Sequence, residues 1–135
     1  MKLLVNIDVP ELAVAERFYV AAFDLQPGRR LGAQALELVG ADVAVYLLEN
    51  AAGSRGTDGT QGATRDYARH WTPIHVDVVV EDLDAALSRA LAAGALQEGV
   101  VRDEPWGRIV QVADPFGHGW CLLEFSEQGY DAIAT

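Results

Sequence analysis

The chain has 135 residues, half of them hydrophobic and 22% charged, which suits one compact domain or two small halves and a globular rather than a disordered chain. Twenty acidic residues against ten basic ones give a formal charge of −10, which argues against nucleic acid and suits a cationic guest. With no apolar run near the ~20 residues that cross a bilayer, a start ("MKLLVNIDVPE") too short in apolar residues for a signal peptide, and a single cysteine, Cys121, the expectation is a soluble cytoplasmic protein without membrane partners or disulfides.

The first element in chain order is a period-2 segment, with Leu3, Val5 and Ile7 on one face and Leu4, Asn6 and Asp8 on the other. Asp8 and Pro10 then introduce a helix whose apolar stripe is Leu12, Ala15, Phe18, Tyr19 and Ala22. Short strands are predicted near 29–31, 35–39 and 42–49, with "VGAD" as a turn. Residues 51–69, "AAGSRGTDGTQGATRDYAR", are rich in Gly, Ser and Thr and read as a plain connector or as a lid over a site. A second period-2 segment puts Ile74, Val76 and Val78 on one face and His75, Asp77 and Val79 on the other. Asp82 caps a second helix with the stripe Leu83, Ala86, Leu87, Ala90 and Leu91, and Gly94 ends it. Strands follow near 99–103, 107–113 and 119–125. In the turn "DPFGHG", Asp114, Pro115 and Gly117 read as structural, with His118 exposed at the tip. The tail "SEQGYDAIAT" is expected to lie on the surface or to fray.

The two halves repeat. Leu12 and Leu83, Ala15 and Ala86, and the stretches "LQPG" and "LQEG" stand 71 positions apart. "YLLE" (46–49) and "CLLE" (121–124) stand 75 apart, so four residues entered the second copy between these points. The pattern is βαβββ twice, an α+β fold: module 1–50, linker 51–70, module 71–127 and tail 128–135.

The apolar sets Leu3, Val5, Ile7 and Ile74, Val76, Val78 suit packing on the helices. The opposite faces carry Asn6, His75 and Asp77, which is too polar for a dry core and fits the wall of a ligand-filled concavity. Tyr46 aligns with Cys121, and alternation adds Leu48 and Leu123 to the same wall while Leu47 and Leu122 pack on the helices. Gln111, inside "IVQVA", is either a core hydrogen-bonding group or a ligand contact. Trp71 and Trp106 flank strands and either line the mouth of the concavity or pack.

With these residues in place, the chain resembles the vicinal oxygen chelate superfamily, which includes glyoxalase I, the bleomycin resistance proteins and the extradiol dioxygenases. The resemblance runs over residues 3–125 through "VPELAVAERFYVAAFDL", "HVDVVVEDLDAALSRALAAGA" and "WGRIVQVADPFGHGWCLLEF". It implies a single glyoxalase-like domain over residues 1–135: tandem βαβββ modules forming a curved mixed-sheet cup, commonly completed by dimerisation. In the superfamily's metalloenzymes the ligand positions would fall on Leu4, Tyr46, His75 and Cys121. Only His75 has the expected residue type; leucine has no lone pair and neutral tyrosine is a poor ligand. Glu49 and Glu124, three residues past the fourth-strand positions, should point to the other face of their strands.

Two functional classes follow. One is a metal-independent small-molecule binding protein of the glyoxalase/bleomycin resistance type, a homodimer that sequesters a planar or cationic compound and so contributes to antibiotic resistance. Its ligand-binding residues would be Asn6, Tyr46, Leu48, Trp71, Asp77, Trp106, Gln111 and Cys121, and no cofactor is expected. The alternative is a lyase, isomerase or dioxygenase-like enzyme, with His75 as catalytic base and Asp77 or Asn6 orienting the substrate, or a non-standard divalent metal site at His75 and Cys121. No "GxSxG", "HExxH", "CxxC" or phosphate-cradling glycine loop supports hydrolase, redox or nucleotide chemistry.

Overall fold

The computed structural model describes residues 1–58 and 62–135. They form two compact units, 1–68 and 69–135. The first unit runs β1 (Leu4–Val9), α1 (Leu12–Phe23), β2 (Gln26–Arg30), β3 (Ala35–Val39) and β4 (Ala44–Glu49), with sheet order β1-β4-β3-β2. The second runs β5 (Asp77–Val79), α2 (Leu83–Ala93), β6 (Leu96–Glu104), β7 (Gly107–Ala113) and β8 (Gly119–Phe125), with order β5-β8-β7-β6 and a closing 3₁₀ turn at Gly129–Ala132. In each unit the first strand pairs parallel with the last and the remaining pairs are antiparallel. This is the expected βαβββ repeat, an α+β fold of two mixed sheets. Among the described residues no helix is long and apolar enough to cross a membrane.

Alternation sorts the side chains. In the first unit Ile7 and Val9, Leu36 and Leu38, and Val45 and Leu47 are buried on one face of the sheet. The stripe Leu12, Ala15, Phe18, Tyr19 and Ala22 of α1 is buried as its spacing demands. In the second unit Val110, Val112, Trp120 and Leu122 share a face with Val78, while Leu83, Ala86 and Ala90 of α2 are buried. The expectation for Leu3 and Ile74 is corrected: they are 69% and 75% exposed, because β1 starts at Leu4 and β5 only at Asp77. The helix-facing set of β1 is Val5, Ile7 and Val9. Leu91 also lies outside the buried stripe of α2, since a narrow helix face meets the sheet. The four extra residues of the second copy lie in β6, nine residues long against five in β2, with a bulge between Glu98 and Arg102.

Both helices start against a carboxylate from the last strand of their own unit. Leu12 N donates to Glu49 Oε2 at 2.8 Å, and Leu83 N donates to Glu124 Oε2 at 2.6 Å. Glu49 and Glu124 therefore do point to the helix side, and the repeated "LLE" sets one buried leucine, Leu47 or Leu122, on that side and then a helix cap. Asp82 adds a second cap on α2 by accepting from Ala85 N at 2.9 Å. Asp8 does not cap α1: it accepts from Arg65 Nε at 2.7 Å and Asn50 Nδ2 at 2.8 Å.

The segment after β4 is held to the first unit. Arg55 and Thr64 form a bridge, Gly53 N donates to Arg65 O at 2.8 Å, and the Tyr67 hydroxyl donates to Asn50 O at 2.7 Å. Residues 59–61 of the expected connector lie outside the described residues. In the β7–β8 turn Asp114 is buried and accepts from Phe116 N, His118 N and Trp120 Nε1, a structural role as expected. His118 is partly buried rather than exposed at the tip, its ring edge-on to His70 at 5.3 Å.

Candidate functional site

The face of each sheet turned away from its helix carries one polar row at the same place in the register. In the first unit Asn6 pairs with Tyr46 and Tyr46 with Glu37. The Tyr46 hydroxyl donates to Glu37 Oε1 at 3.2 Å, and Arg29 grips the same carboxylate through Nε at 2.8 Å and Nη2 at 2.6 Å. Arg29 holds the Glu37 carboxyl down at about 2, well below an ordinary glutamate, and its own guanidinium is raised in return. Leu48 lies half-buried on this face two residues beyond Tyr46; Leu4 is exposed on it.

In the second unit the row is Asp77, Cys121, Gln111 and Glu98, each on a neighbouring strand. A recess of about 40 Å³ opens beside it, lined by Trp71, Thr72, His75, Gln111, Cys121 and the guanidinium of Arg69. Arg69 donates to Glu98 through Nε at 2.6 Å and Nη2 at 2.8 Å, and through Nη1 to the carbonyl of His70. This fork is possible because Gly119 has no side chain; a Cβ there would stand 2.6 Å from Nη2. Glu98 raises Arg69, and Arg69 lowers Glu98, through that pair.

Burial, and then the charge of Asp77, push the Cys121 thiol up to about 11. It is thus a neutral thiol, not a poised nucleophile. His75 is exposed at the rim, its ring edge-on to Trp71 at 6.2 Å. It precedes β5 instead of lying within the strand, and no hydrogen bond joins it to Asp77 among the described residues.

The structure brings Trp71, His75, Gln111 and Cys121 together, with Asp77 beside them, and keeps Asn6, Tyr46 and Leu48 on the face of the other unit. Trp106 lies elsewhere: it packs on the buried cluster Ile109, Cys121 and Leu123 and against Phe125 and Tyr130, which anchors the tail. Sequence reasoning missed Glu37, Arg29, Arg69 and Glu98. Glu37 was findable, as the lone polar residue in "ALELV". Arg69 and Glu98 meet only through the fold.

The residues at the superfamily's metal positions do not fit a divalent ion. Leu4 has no donor, the Tyr46 phenol is bonded to Glu37, and the second unit supplies only His75 and Cys121, two donors where zinc takes three or four from the protein. No group of three or more His, Cys, Asp or Glu is arranged for a metal among the described residues.

Two helix-backed βαβββ units with polar rows on their open faces define the class of paired-module folds. The chain belongs to the glyoxalase-like domain family, whose model it matches over residues 4–123. An uncharacterized protein of Mycobacterium bovis is 35% identical over 127 residues, covering 87% of this chain and 78% of that protein. The anthracycline biosynthesis protein DauV of a Streptomyces species is 31% identical over 135 residues, covering 96% of this chain and 43% of DauV. The crystal structure of TioX from a Micromonospora species shares the fold, with a TM-score of 0.71 at 23% identity over 93% of this chain and 99% of that one.

Proposed function

We propose that the chain is a metal-independent binding protein that holds a planar, cationic small molecule against the open face of the second sheet and sequesters it unchanged. The observation that carries this reading is Trp71, an indole left 75% exposed at the rim of a polar recess. A flat ring stacked there removes apolar surface from water, and a positive charge on it adds a cation–π attraction. The charge balance points the same way. Arg69 is neutralised by Glu98, whereas Asp77 has no ion-pair partner among the described residues. The relation to DauV, whose name ties it to anthracycline biosynthesis, suits a polycyclic guest.

A recess of about 40 Å³ is far below the ~300–1,000 Å³ that encloses a drug-sized ligand. The guest therefore lies on an open wall, and we place the opposing wall on a second copy of the chain. The test is titration of tryptophan fluorescence with planar cationic dyes, beside sedimentation of the free protein. Saturable quenching is expected, lost in Trp71→Ala and unchanged by chelator or added zinc, with the dye recovered intact from a dimer. Quenching that never saturates would overturn the reading. Conversion of the dye that stops in His75→Ala would replace it with the catalytic alternative.

A further inference from the structure

Trp71 sits on a segment with little hold of its own. Between Arg69 and Val76 the chain forms neither helix nor strand. Among the described residues no hydrogen bond joins residues 71–75 to the sheet: Ile74 N donates locally to Thr72 Oγ1 at 3.4 Å, and Pro73 has no N–H to give. The edge-on rings of Trp71 and His75 brace the segment within itself. It is an arch, and its place over the sheet depends on its two feet. The far foot is a backbone bond, Cys121 N to Val76 O at 3.2 Å. The near foot combines a bond from His70 N to Gly117 O at 3.2 Å, the ring of His70 against His118, and the side chain of Arg69. Arg69 does what the other two cannot. Its guanidinium rests against the bare backbone of Gly119 on β8 and holds Glu98 on β6, two strands away, through Nε and Nη2. Its Nη1 donates to the carbonyl of His70, which belongs to the peptide bond joining His70 to Trp71. A guanidinium is rigid and planar. With two nitrogens fixed on Glu98, the third fixes that peptide plane, and with it the direction in which the indole leaves the chain.

Resting on the sequestration reading, we infer that Arg69 and Glu98 are positioning residues for Trp71: their fork holds the indole at the rim before a guest arrives. A guest that finds the indole in place has no chain to order when it binds. A guest that meets a swinging arch must immobilise it, and that cost is subtracted from its affinity. Neither Arg69 nor Glu98 has to touch the guest for this.

Gly119→Ala separates position from contact. Gly119 lies outside the left-handed region, so alanine fits its backbone. The new Cβ would stand 2.6, 3.1 and 3.2 Å from Nη2, Cζ and Nη1, so the guanidinium must leave its berth while Trp71, Asp77, Arg69 and Glu98 all remain. Glu98→Gln breaks the same fork from its other end. The first readout needs no ligand: fluorine NMR of the full chain labelled with fluorotryptophan, with Trp71 assigned by Trp71→Phe. The Trp71 signal should narrow in both variants, while those of Trp106 and Trp120 keep their widths. An unchanged Trp71 width in both variants would overturn the inference, whatever a dye does. The second readout is titration with proflavine, a planar cation, whose dissociation constant should rise several-fold in both variants. Gly119→Ala keeps every charge, so a loss confined to Glu98→Gln would be an effect of charge and would overturn the inference, as would affinities equal to the wild type in both variants; sequestration would stand in either case. If proflavine and the other planar cations fail to saturate the wild type, sequestration falls, and the fluorine widths alone decide whether the fork positions Trp71.

Discussion

A single buried sulfur carries a measurable pH signature. The folded thiol of Cys121 ionises near 11, against 9.0 as the ordinary value, because burial and Asp77 disfavour the thiolate. Since the thiolate is the nucleophile, iodoacetamide should alkylate the native protein about a hundredfold more slowly than the urea-unfolded chain at pH 8. The sign for stability follows. Below about pH 9 both states hold the proton and this group's contribution is intact. As pH rises from about 9 to about 11 the unfolded chain ionises first, and stability falls. Urea midpoints at pH 8 and 10.5 should show that drop in the wild type and a smaller one in Cys121→Ala. Asp77→Asn should speed alkylation of the folded protein. Glu37 has the opposite sense: lowered to about 2 by Arg29, it stabilises above about 4.5 and loses that contribution as pH falls toward 2. The sequence flagged Cys121 by its alignment with Tyr46, Asp77 by the polar face of a period-2 segment, and Gln111 as a polar residue inside "IVQVA". It could not flag Arg69, whose partner Glu98 is 29 residues away and whose position depends on the bare backbone of Gly119.

The elements were legible where one face is buried and the other is not. The stripe of α1, the strand β3 and the strands β7 and β8 fall where periodicity puts them. Their edges were harder to place. β2 is exposed at every residue and has no apolar alternation to find, and β5 shrinks to three residues after Pro73. The repeated "LLE" showed that Glu49 and Glu124 face the helices but not that they meet the helix N-termini, a contact made over 37 and 41 residues. The two carboxylates should not be equally costly to remove. The N-terminus of α2 also has Asp82, whereas the residue preceding α1, Glu11, makes no side-chain capping bond. Glu49→Ala should therefore lower stability by about 1–2 kcal/mol, and Glu124→Ala by less, read as urea midpoints at unchanged slope. Equal losses would show that Asp82 does not share the load. In the segment after β4, Asp8→Ala removes the anchor for Arg65 and should expose residues 51–58 to limited proteolysis first.

Across the whole molecule, the internal repeat was the strongest signal in the sequence, because one hydrophobic pattern written twice fixes two sheets together. What it hid was the place where the copies diverge, the lengthened and bulged β6 that presents Glu98 to Arg69. The repeat also says nothing about charge, and charge sets the response of the chain to salt. Ion pairs such as Arg29–Glu37, Arg30–Glu16 and Arg108–Asp84 are solvent-accessible and worth less than about 1 kcal/mol each, and screening weakens them. Against them stands a net charge of −10 on a compact fold, a repulsion that the same screening relieves and that an expanded chain feels less. With twenty acidic groups and only ten basic ones, half of the carboxylates have no cation to pair with, so the repulsive contribution should dominate. Raising sodium chloride from about 20 mM to about 500 mM, where the screening length falls from roughly 20 Å to below 5 Å, should raise the thermal midpoint. Glu16→Gln, which deletes one exposed pair and one excess charge together, should change that midpoint little at either salt concentration. A midpoint that falls with salt would mean that the ion pairs, the Arg65–Asp8 and Arg69–Glu98 anchors above all, contribute more than their exposure suggests, and those two anchors would be the next to remove singly.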